Sequence, residues 1–157
     1  MGFTLVNELP TPAEILEQFP LADHLAALKK ERDEEIKKVI TGQSNKFLVI
    51  IGPCSADNED AVCDYANRLA KVQEATKDQL IIIPRVYTNK PRTTGEGYMG
   101  MLHQPDPEKK PDMLQGILAI RHMHMRVLRE TGMSTADEML YPDNLQYLSD
   151  ICLLYTS

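Results

Sequence analysis

The stretch Pro84–Thr94 carries the side chains best suited to chemistry in this sequence. It reads PRVYTNKPRTT and contains Arg85, Lys90 and Arg92 without an acidic residue, although the whole chain has a formal net charge of −6. Guanidinium groups bind phosphate oxygens through paired hydrogen bonds, and lysine adds a mobile positive charge. The stretch follows the apolar run Leu80–Ile83, and loops that follow strands are where α/β folds bind ligands. These residues predict a site for phosphorylated, anionic metabolites, with a solvated strand end as the alternative.

Two more strand ends carry side chains of chemical interest. Cys54 follows a Gly-Pro turn after the apolar run Phe47–Ile51, and Asp137 and Glu138 lie near the end of a third short strand. The Cys54 thiolate can serve as a nucleophile or a soft metal ligand, and the alternative is a small buried residue. Because the carboxyl ends of parallel strands meet at one edge, we expect the thiol, the cationic stretch and a carboxylate to converge there. This convergence predicts an active site.

Three other patterns are better explained by packing or by surface exposure. Gly95–Gly100, GEGYMG, matches the dinucleotide pattern G-x-G-x-x-G, but it neither directly follows a strand nor opens a helix. His122 and His124 lie two residues apart on a helix, where side chains point apart. We expect both histidines to be exposed and to form no metal site. Cys63 falls inside a helix without a partner at ligand spacing and is predicted to be a packing residue.

The elements that must position these residues follow from caps, breakers and apolar spacing. Thr11 and Glu14 form a capping box that begins a first helix, and Gly42 stops a second one. The predicted elements, in chain order, are helices from Thr11 to Pro20 and from Asp23 to Thr41, strand Phe47–Ile51, a helix from Asp57 or Asn58 to Ala75, strand Leu80–Val86, a helix from Asp112 to Glu130, strand Thr135–Leu140 and a helix Asp143–Asp150. The alternation predicts a parallel sheet with right-handed crossovers.

Apolar spacing also predicts which faces are buried. The two long helices after the first strand are expected to turn inward Val62, Tyr65, Leu69 and Val72 in one, and Leu114, Ile117, Leu118, Met125 and Leu128 in the other. The apolar runs Phe47–Ile51 and Leu80–Val86 are typical of strands that are buried on both faces of a parallel sheet.

Composition limits the class of protein. A length of 157 residues suits one domain, and 43% hydrophobic and 25% charged residues are typical of a soluble globular protein. The acidic balance and the aromatic content of 6% disfavour nucleic-acid binding. No apolar run is long enough to cross a membrane, and the N-terminus lacks the pattern of a signal peptide. Three cysteines without framework spacing predict a reducing, cytoplasmic setting.

Several motifs, in this order, resemble those of the type I 3-deoxy-D-arabino-heptulosonate 7-phosphate (DAHP) synthases. They are IGPCS at Ile51–Ser55, RVY at Arg85–Tyr87, KPRTT at Lys90–Thr94, GYMGMLHQPDP close after it, and ADEMLYP at Ala136–Pro142. Tyr98 stands where tryptophan is commoner in that family. The resemblance implies an α/β fold, with an N-terminal helical extension (residues 1–45) and then the first about three βα units of an incomplete (β/α)8 TIM barrel (residues 46–151). Residues 152–157, CLLYTS, resemble translated sequencing-adapter DNA, which predicts a non-native tail; a natural short strand is the alternative.

The resemblance also implies a reaction and a set of site residues. DAHP synthases condense phosphoenolpyruvate with erythrose 4-phosphate and release phosphate, which is the first step of the shikimate pathway. By residue-to-residue match, Arg85 and Lys90 would hold phosphoenolpyruvate and be catalytic, and Glu138 would lie near the same substrate. The residues that would contact erythrose 4-phosphate are Pro91, Arg92 and Thr93.

Cofactors and partners are implied in the same way. Cys54 would be the thiolate ligand of a divalent metal ion (Mn, Fe, Co or Zn), with a His, a Glu and an Asp from later strands as the other ligands. The resemblance further implies an aromatic amino acid effector and a homo-oligomer for the full-length enzyme, without a nucleic-acid or membrane partner. Because those later strands lie beyond this sequence, we expect the chain alone to be inactive.

Two alternatives to this function stay open on the sequence. The related 3-deoxy-octulosonate 8-phosphate synthases also join phosphoenolpyruvate to a phosphosugar, but their loop resembles KANRSS, and KPRTT at Lys90–Thr94 disfavours them. An alternative of another class is a non-catalytic module that binds phosphorylated metabolites, or a non-functional truncated α/β fragment. Binding of phosphoenolpyruvate without metal dependence would favour the module.

Overall fold

Parallel strands and the helices that connect them make up the described part of the chain. The computed structural model describes residues 8–90, 92, 96–140 and 142–155. In chain order the elements are α1 (Pro12–Gln18), α2 (Asp23–Ile40), β1 (Phe47–Ile51), α3 (Glu59–Thr76), β2 (Leu80–Pro84), α4 (Met113–Thr131), β3 (Thr135–Glu138), a 3-10 helix (Pro142–Leu148) and β4 (Cys152–Tyr155). The predicted alternation is confirmed, and the last helix is of the 3-10 type.

The helical extension begins as the sequence predicts. The Thr11 hydroxyl accepts a hydrogen bond from the backbone N–H of Glu14 (3.3 Å), and the Glu14 carboxylate accepts one from the backbone N–H of Thr11 (2.7 Å). This capping box holds the first turn of α1, whose Ile15 is buried in the main core. Gly42 follows α2 with a φ of +72°, a left-handed stop that glycine adopts without strain. Among the described helices, none has the length and apolar character that a membrane span requires.

The described strands run parallel and follow one another in chain order. β1 pairs with β2 from Phe47↔Leu80 onward, and β3 pairs with β4 from Thr135↔Cys152 onward. A single bridge between Arg85 and Ala136 joins the two pairs. The sheet formed by the described residues is therefore open rather than closed into a barrel. β4 lies in the segment predicted to be a non-native tail. The pairing of β4 with β3 does not test the origin of that segment, which stays a prediction.

Two apolar clusters cover the two faces of the sheet. The larger one lies between the sheet and the helices α3 and α4, and it includes Val62, Val86 and Ile120. The smaller one places Ile36 of α2 against Ile83 on the other face. Because alternate residues of a strand face opposite sides, β2 is covered on both faces as predicted.

Several predicted burial assignments are wrong. β1 was expected to be buried on both faces, yet Phe47 is 75% exposed and Ile50 47% exposed, because within the described residues the helices pack less extensively on β1 than α3 packs on β2. Val72 was expected to face inward and is 47% exposed. In α4, Ile117 and Leu128 are buried as predicted, and the half-buried Leu118 and Met125 pack against the larger cluster. Leu114 is only half-buried, and the buried stripe also includes four residues that were not predicted: Ile120, Met123, His124 and Val127.

Candidate active site

The loop after β1 is fastened to the end of β2, which brings the first two strand ends together. The Arg85 N–H donates to the Ile51 carbonyl (2.8 Å), and the Ala56 N–H donates to the Tyr87 carbonyl (2.9 Å). A Cβ atom on Gly52 would lie 1.8 Å from the Arg85 carbonyl oxygen. Only glycine permits this close approach, so the Gly-Pro turn delivers Cys54 directly beside the cationic stretch.

Arg85 connects all three strand ends that the sequence singled out. Its Nη1 donates to the Pro53 carbonyl (3.3 Å), and its Nη2 lies 3.3 Å from Oε2 of Glu138. The guanidinium carbon stands 4.3 Å from the centroid of the Tyr87 ring. The Arg85 side chain is 24% exposed and that of Glu138 is 13% exposed, so the pair lies partly open to solvent.

Lys90 reaches back into the same place. Its ammonium group donates to the Cys54 carbonyl and lies 3.6 Å from the Cys54 sulfur. The Lys90 nitrogen is also 4.5 Å from the centroid of the Tyr87 ring, so Arg85 and Lys90 both make cation–π contacts with this tyrosine. The negative face of an aromatic ring attracts cations. Tyr87 therefore helps to hold two like charges close together at the strand edge.

The loop between β2 and α4 folds back along the cationic stretch. The Lys90 N–H donates to the Met99 carbonyl (3.2 Å), and the Leu102 N–H donates to the Thr88 carbonyl (3.2 Å). Gly100 permits this return with a φ of +92°, and a Cβ atom there would lie 2.3 Å from the Thr88 carbonyl oxygen. The GEGYMG motif accordingly lies in a loop, as predicted, because α4 begins only at Met113; its first glycine, Gly95, lies outside the described residues.

Arg92, the third cation of the stretch, is exposed and donates from Nε to the Tyr98 carbonyl (2.8 Å). The Tyr98 hydroxyl is buried, and in the described structure it has no hydrogen-bond partner. Burial, with a smaller contribution from the negative charge of Asp57, raises the pKa of Tyr98 to about 12. Pro91 and Thr93, the other two residues expected to contact erythrose 4-phosphate, lie outside the described residues.

Cys54 is exposed at the strand edge, so the alternative of a small buried residue is wrong, whereas Cys63 is buried as predicted. Burial raises the pKa of the Cys63 thiol to about 11. Divalent transition metals need several protein ligands, and the described residues contain no group of three or more His, Cys, Asp or Glu side chains arranged to hold a metal ion. At the strand edge the described residues thus offer one thiol, and they do not by themselves fit a metal ion.

Two of the predictions about polar residues are wrong. His124, expected to be exposed, has no exposed surface, whereas His122 is exposed and pairs with Glu59 at 2.9 Å. Asp137, considered as an acid for the strand edge, is completely buried behind the sheet. Adjacent strand residues face opposite sides, so Glu138 at the edge already implied that Asp137 points away from it.

A buried arginine in α4 was missed altogether. Arg121 makes two hydrogen bonds to Asp150 (2.7 and 2.9 Å) and donates to the carbonyls of Phe19 and Tyr147. It thereby ties α1 and the 3-10 helix to α4. A charged residue in the apolar stripe of α4 was the available signal, since a buried charge requires partners.

The family of this chain follows from sequence and fold comparisons. The family profile that matches it, DAHP synthetase I, covers residues 22–156. The chain is similar to the Phe-sensitive phospho-2-dehydro-3-deoxyheptonate aldolase of Escherichia coli, with 34% identity over 93% of this chain and 41% of that protein. It is also similar to the phospho-2-dehydro-3-deoxyheptonate aldolase of Haemophilus influenzae, with 35% identity over 92% of this chain and 40% of that protein.

The solved structures agree with this match. The phospho-2-dehydro-3-deoxyheptonate aldolase of Francisella tularensis superposes with a TM-score of 0.86 and 25% identity, over 96% of this chain and 44% of that one. This chain thus spans about 40% of the length of the relatives it matches, and its open sheet corresponds to part of their fold. By profile, sequence and fold together, the chain belongs to the DAHP synthetase I family.

Proposed function

We propose that this chain supplies the phosphoenolpyruvate-binding part of a DAHP synthase active site. The observation that carries the proposal is the placement of Arg85 and Lys90 over the same Tyr87 ring, at strand ends that also bring in Cys54 and Glu138. Phosphoenolpyruvate carries a phosphate and a carboxylate. Paired cations at a partly desolvated site bind such a polyanion more strongly than isolated surface charges do.

The proposed reaction is the condensation of phosphoenolpyruvate with erythrose 4-phosphate to DAHP and phosphate. The enol carbon attacks the aldehyde carbon, water adds to the central carbon of phosphoenolpyruvate, and the phosphate leaves. Arg85 and Lys90 would hold the phosphoenolpyruvate, while Glu138 would orient the Arg85 guanidinium. The proposed contacts to erythrose 4-phosphate are Pro91, Arg92 and Thr93.

A divalent metal ion, an effector and a second subunit belong to the same proposal. Cys54 would contribute one ligand to the metal, which acts as a Lewis acid in such condensations, and the remaining ligands would come from outside the described residues. Two of the relatives are named as Phe-sensitive and Trp-sensitive, which supports an aromatic amino acid effector. A homo-oligomer and a cytoplasmic setting complete the proposal.

Binding of phosphoenolpyruvate to the 157-residue chain tests the proposed site directly. Isothermal titration calorimetry should detect binding by the parent chain, and Arg85→Met or Lys90→Met should weaken it by about ten-fold or more, since each removes a charged hydrogen-bond donor. Lys71→Met, which removes an exposed charge from α3, is the matched control and should leave the affinity unchanged. Equal affinity of the parent chain and the Arg85 variant would refute the proposed site.

Catalysis is tested in a chimera, because the described residues do not hold a metal by themselves. Residues 1–151 of this chain would be joined to the part of the Escherichia coli relative that lies beyond its matched region. We expect phosphate release that requires both substrates and a divalent metal from the chimera, and none from the chain alone. Robust turnover by the chain alone contradicts the expected inactivity. A folded chimera that binds phosphoenolpyruvate without forming product would favour the non-catalytic binding module.

A further inference from the structure

A fully buried hydrogen-bonded cluster lies behind the strand ends, on the face of the sheet that packs against α4. We refer to Thr88, His124, Thr135 and Asp137 as the Asp137 cluster. None of the four side chains has appreciable exposed surface. Burying polar groups costs free energy unless each is satisfied, so a cluster of this kind at this place requires an explanation beyond packing.

Asp137 makes the contacts that matter most for the site. Its Oδ1 accepts from the backbone N–H of Thr88 (3.2 Å), and its Oδ2 accepts from the Thr88 hydroxyl (2.5 Å). On the other side, His124 Nε2 lies 3.3 Å from Oδ2 of Asp137, and Nδ1 lies 2.7 Å from the Thr135 hydroxyl. The carboxylate is thus held by α4 and in turn holds the chain just before Lys90.

These side-chain bonds continue the connection between β2 and β3 beyond their single backbone bridge. The Val86 N–H donates to the Ala136 carbonyl (2.8 Å), and two residues after Val86 the Thr88 N–H donates to the side chain of Asp137, the residue after Ala136. A side chain therefore does here what a ladder hydrogen bond does within a sheet. Because Asp137 and Glu138 are adjacent, one strand carries the acid beside Arg85 on one face and the acid that fixes Thr88 on the other.

We propose that Asp137, through Thr88, is a positioning residue that sets Lys90 beside Arg85 and Glu138, with His124 and Thr135 keeping the Asp137 carboxylate in place. The effect of this positioning role on ligand binding rests on the proposed function, whereas its effect on the order of residues 88–90 does not. The cluster touches no substrate; it acts by fixing the point from which the Lys90 side chain reaches the site.

The test uses Thr88→Val, which keeps the branched shape and removes only the hydroxyl, and Thr88→Ser, which keeps the hydroxyl. Hydrogen exchange of the Thr88 and Lys90 amides should be about ten-fold faster in Thr88→Val than in the parent chain, because a buried hydrogen bond is lost. Thr88→Ser should restore slow exchange. The affinity for phosphoenolpyruvate should fall by about ten-fold in Thr88→Val and recover in Thr88→Ser. Asp137→Asn should behave like Thr88→Val.

The matched control is Asp150→Asn, which weakens the ion pair between Arg121 and Asp150 where α4 meets the 3-10 helix, away from the Asp137 cluster's own hydrogen bonds. This variant should lower the unfolding temperature while leaving the exchange at Thr88 and Lys90 and the phosphoenolpyruvate affinity unchanged. If Thr88→Val behaves in the same way, the cluster is merely structural and the inference is overturned. If the parent chain does not bind phosphoenolpyruvate, the proposed function fails, and the exchange at Thr88 and Lys90 still decides for or against the positioning role.

Discussion

Two arginines of this chain each meet a carboxylate, and their surroundings differ in a way that separates structure from function. Arg121 is 2% exposed and makes two hydrogen bonds of 2.7 and 2.9 Å to Asp150. Its guanidinium also donates to the backbone carbonyls of Phe19 and Tyr147. Arg85 lies 3.3 Å from Glu138, is 24% exposed and stands over Tyr87. We call the first the Arg121 clamp (Arg121, Asp150 and the carbonyls of Phe19 and Tyr147).

The difference teaches what a ligand site requires. A bidentate, fully buried arginine has its donors committed to the protein, and a new anion would have to displace them. The Arg85–Glu138 pair is longer and partly exposed, and Lys90 lies beside it. Arg85 can therefore exchange the Glu138 carboxylate for a ligand oxygen at low cost in free energy. The position agrees with this reading, because Arg85 lies at the carboxyl end of β2, where parallel sheets bind ligands, whereas the Arg121 clamp joins helices.

The largest effect is expected from breaking the Arg121 clamp. Arg121→Met should lower the free energy of unfolding by about 3 kcal/mol, because two backbone carbonyls and a partly buried carboxylate lose their donors. Urea unfolding followed by circular dichroism measures the change. The control is Arg68→Met, since Arg68 pairs with Asp64 on the surface and should matter by no more than about 0.5 kcal/mol. Equal losses in the two variants would show that the clamp does not stabilise the fold.

A smaller loss of stability is expected at Arg85, the arginine proposed to bind phosphoenolpyruvate. Arg85→Met should cost about 1 kcal/mol, because the pair with Glu138 is long and partly solvated. The same variant should lose the affinity for phosphoenolpyruvate, which Arg121→Met should keep at temperatures where it stays folded. Urea unfolding gives the free energy of unfolding of each variant, and calorimetric titration gives its affinity for phosphoenolpyruvate. A reversed pattern, with stability lost at Arg85 and binding lost at Arg121, would overturn the comparison.

Much of the Arg85 site could be predicted from the sequence, and little of the Arg121 clamp could. Cys54 and Arg85 follow strands and Glu138 ends one, and parallel strands end at one edge, so their meeting needs no knowledge of packing. Arg121 and His124 lie in an apolar helical stripe, and their partners come from residues far along the chain or on another element. Helical spacing predicts that a face is buried, but it does not identify the partners of a polar residue on that face.

The same limit explains the exposed surface of β1. Its run of five apolar residues, FLVII, resembles the LIIIP of β2, yet β2 is buried and β1 is largely exposed. The apolar side chains predict a strand in both cases, but they do not predict how deeply each strand is buried. Burial depends on what packs on the faces of the strand, and within the described residues α3 packs against β2 more extensively than α2 packs against β1.

The smallest effect, which involves no loss of stability, is expected from thiol labelling. Cys54 is exposed beside Lys90, whereas Cys63 and Cys152 are buried, so iodoacetamide at pH 8 should label Cys54 at least about ten-fold faster than the other two. Burial raises the pKa of Cys63 from 9.0 to about 11, so its thiol stays protonated in the folded chain well above pH 8. The stability linked to that protonation is complete below pH 9 and is lost as the pH rises toward 11.

Mass spectrometry after digestion identifies the labelled residue. Phosphoenolpyruvate bound at Lys90 should slow the labelling of Cys54, and it should have no effect on the labelling in Arg85→Met. Protection of Cys54 that persists in Arg85→Met would show that the ligand shielding the thiol does not bind at Arg85.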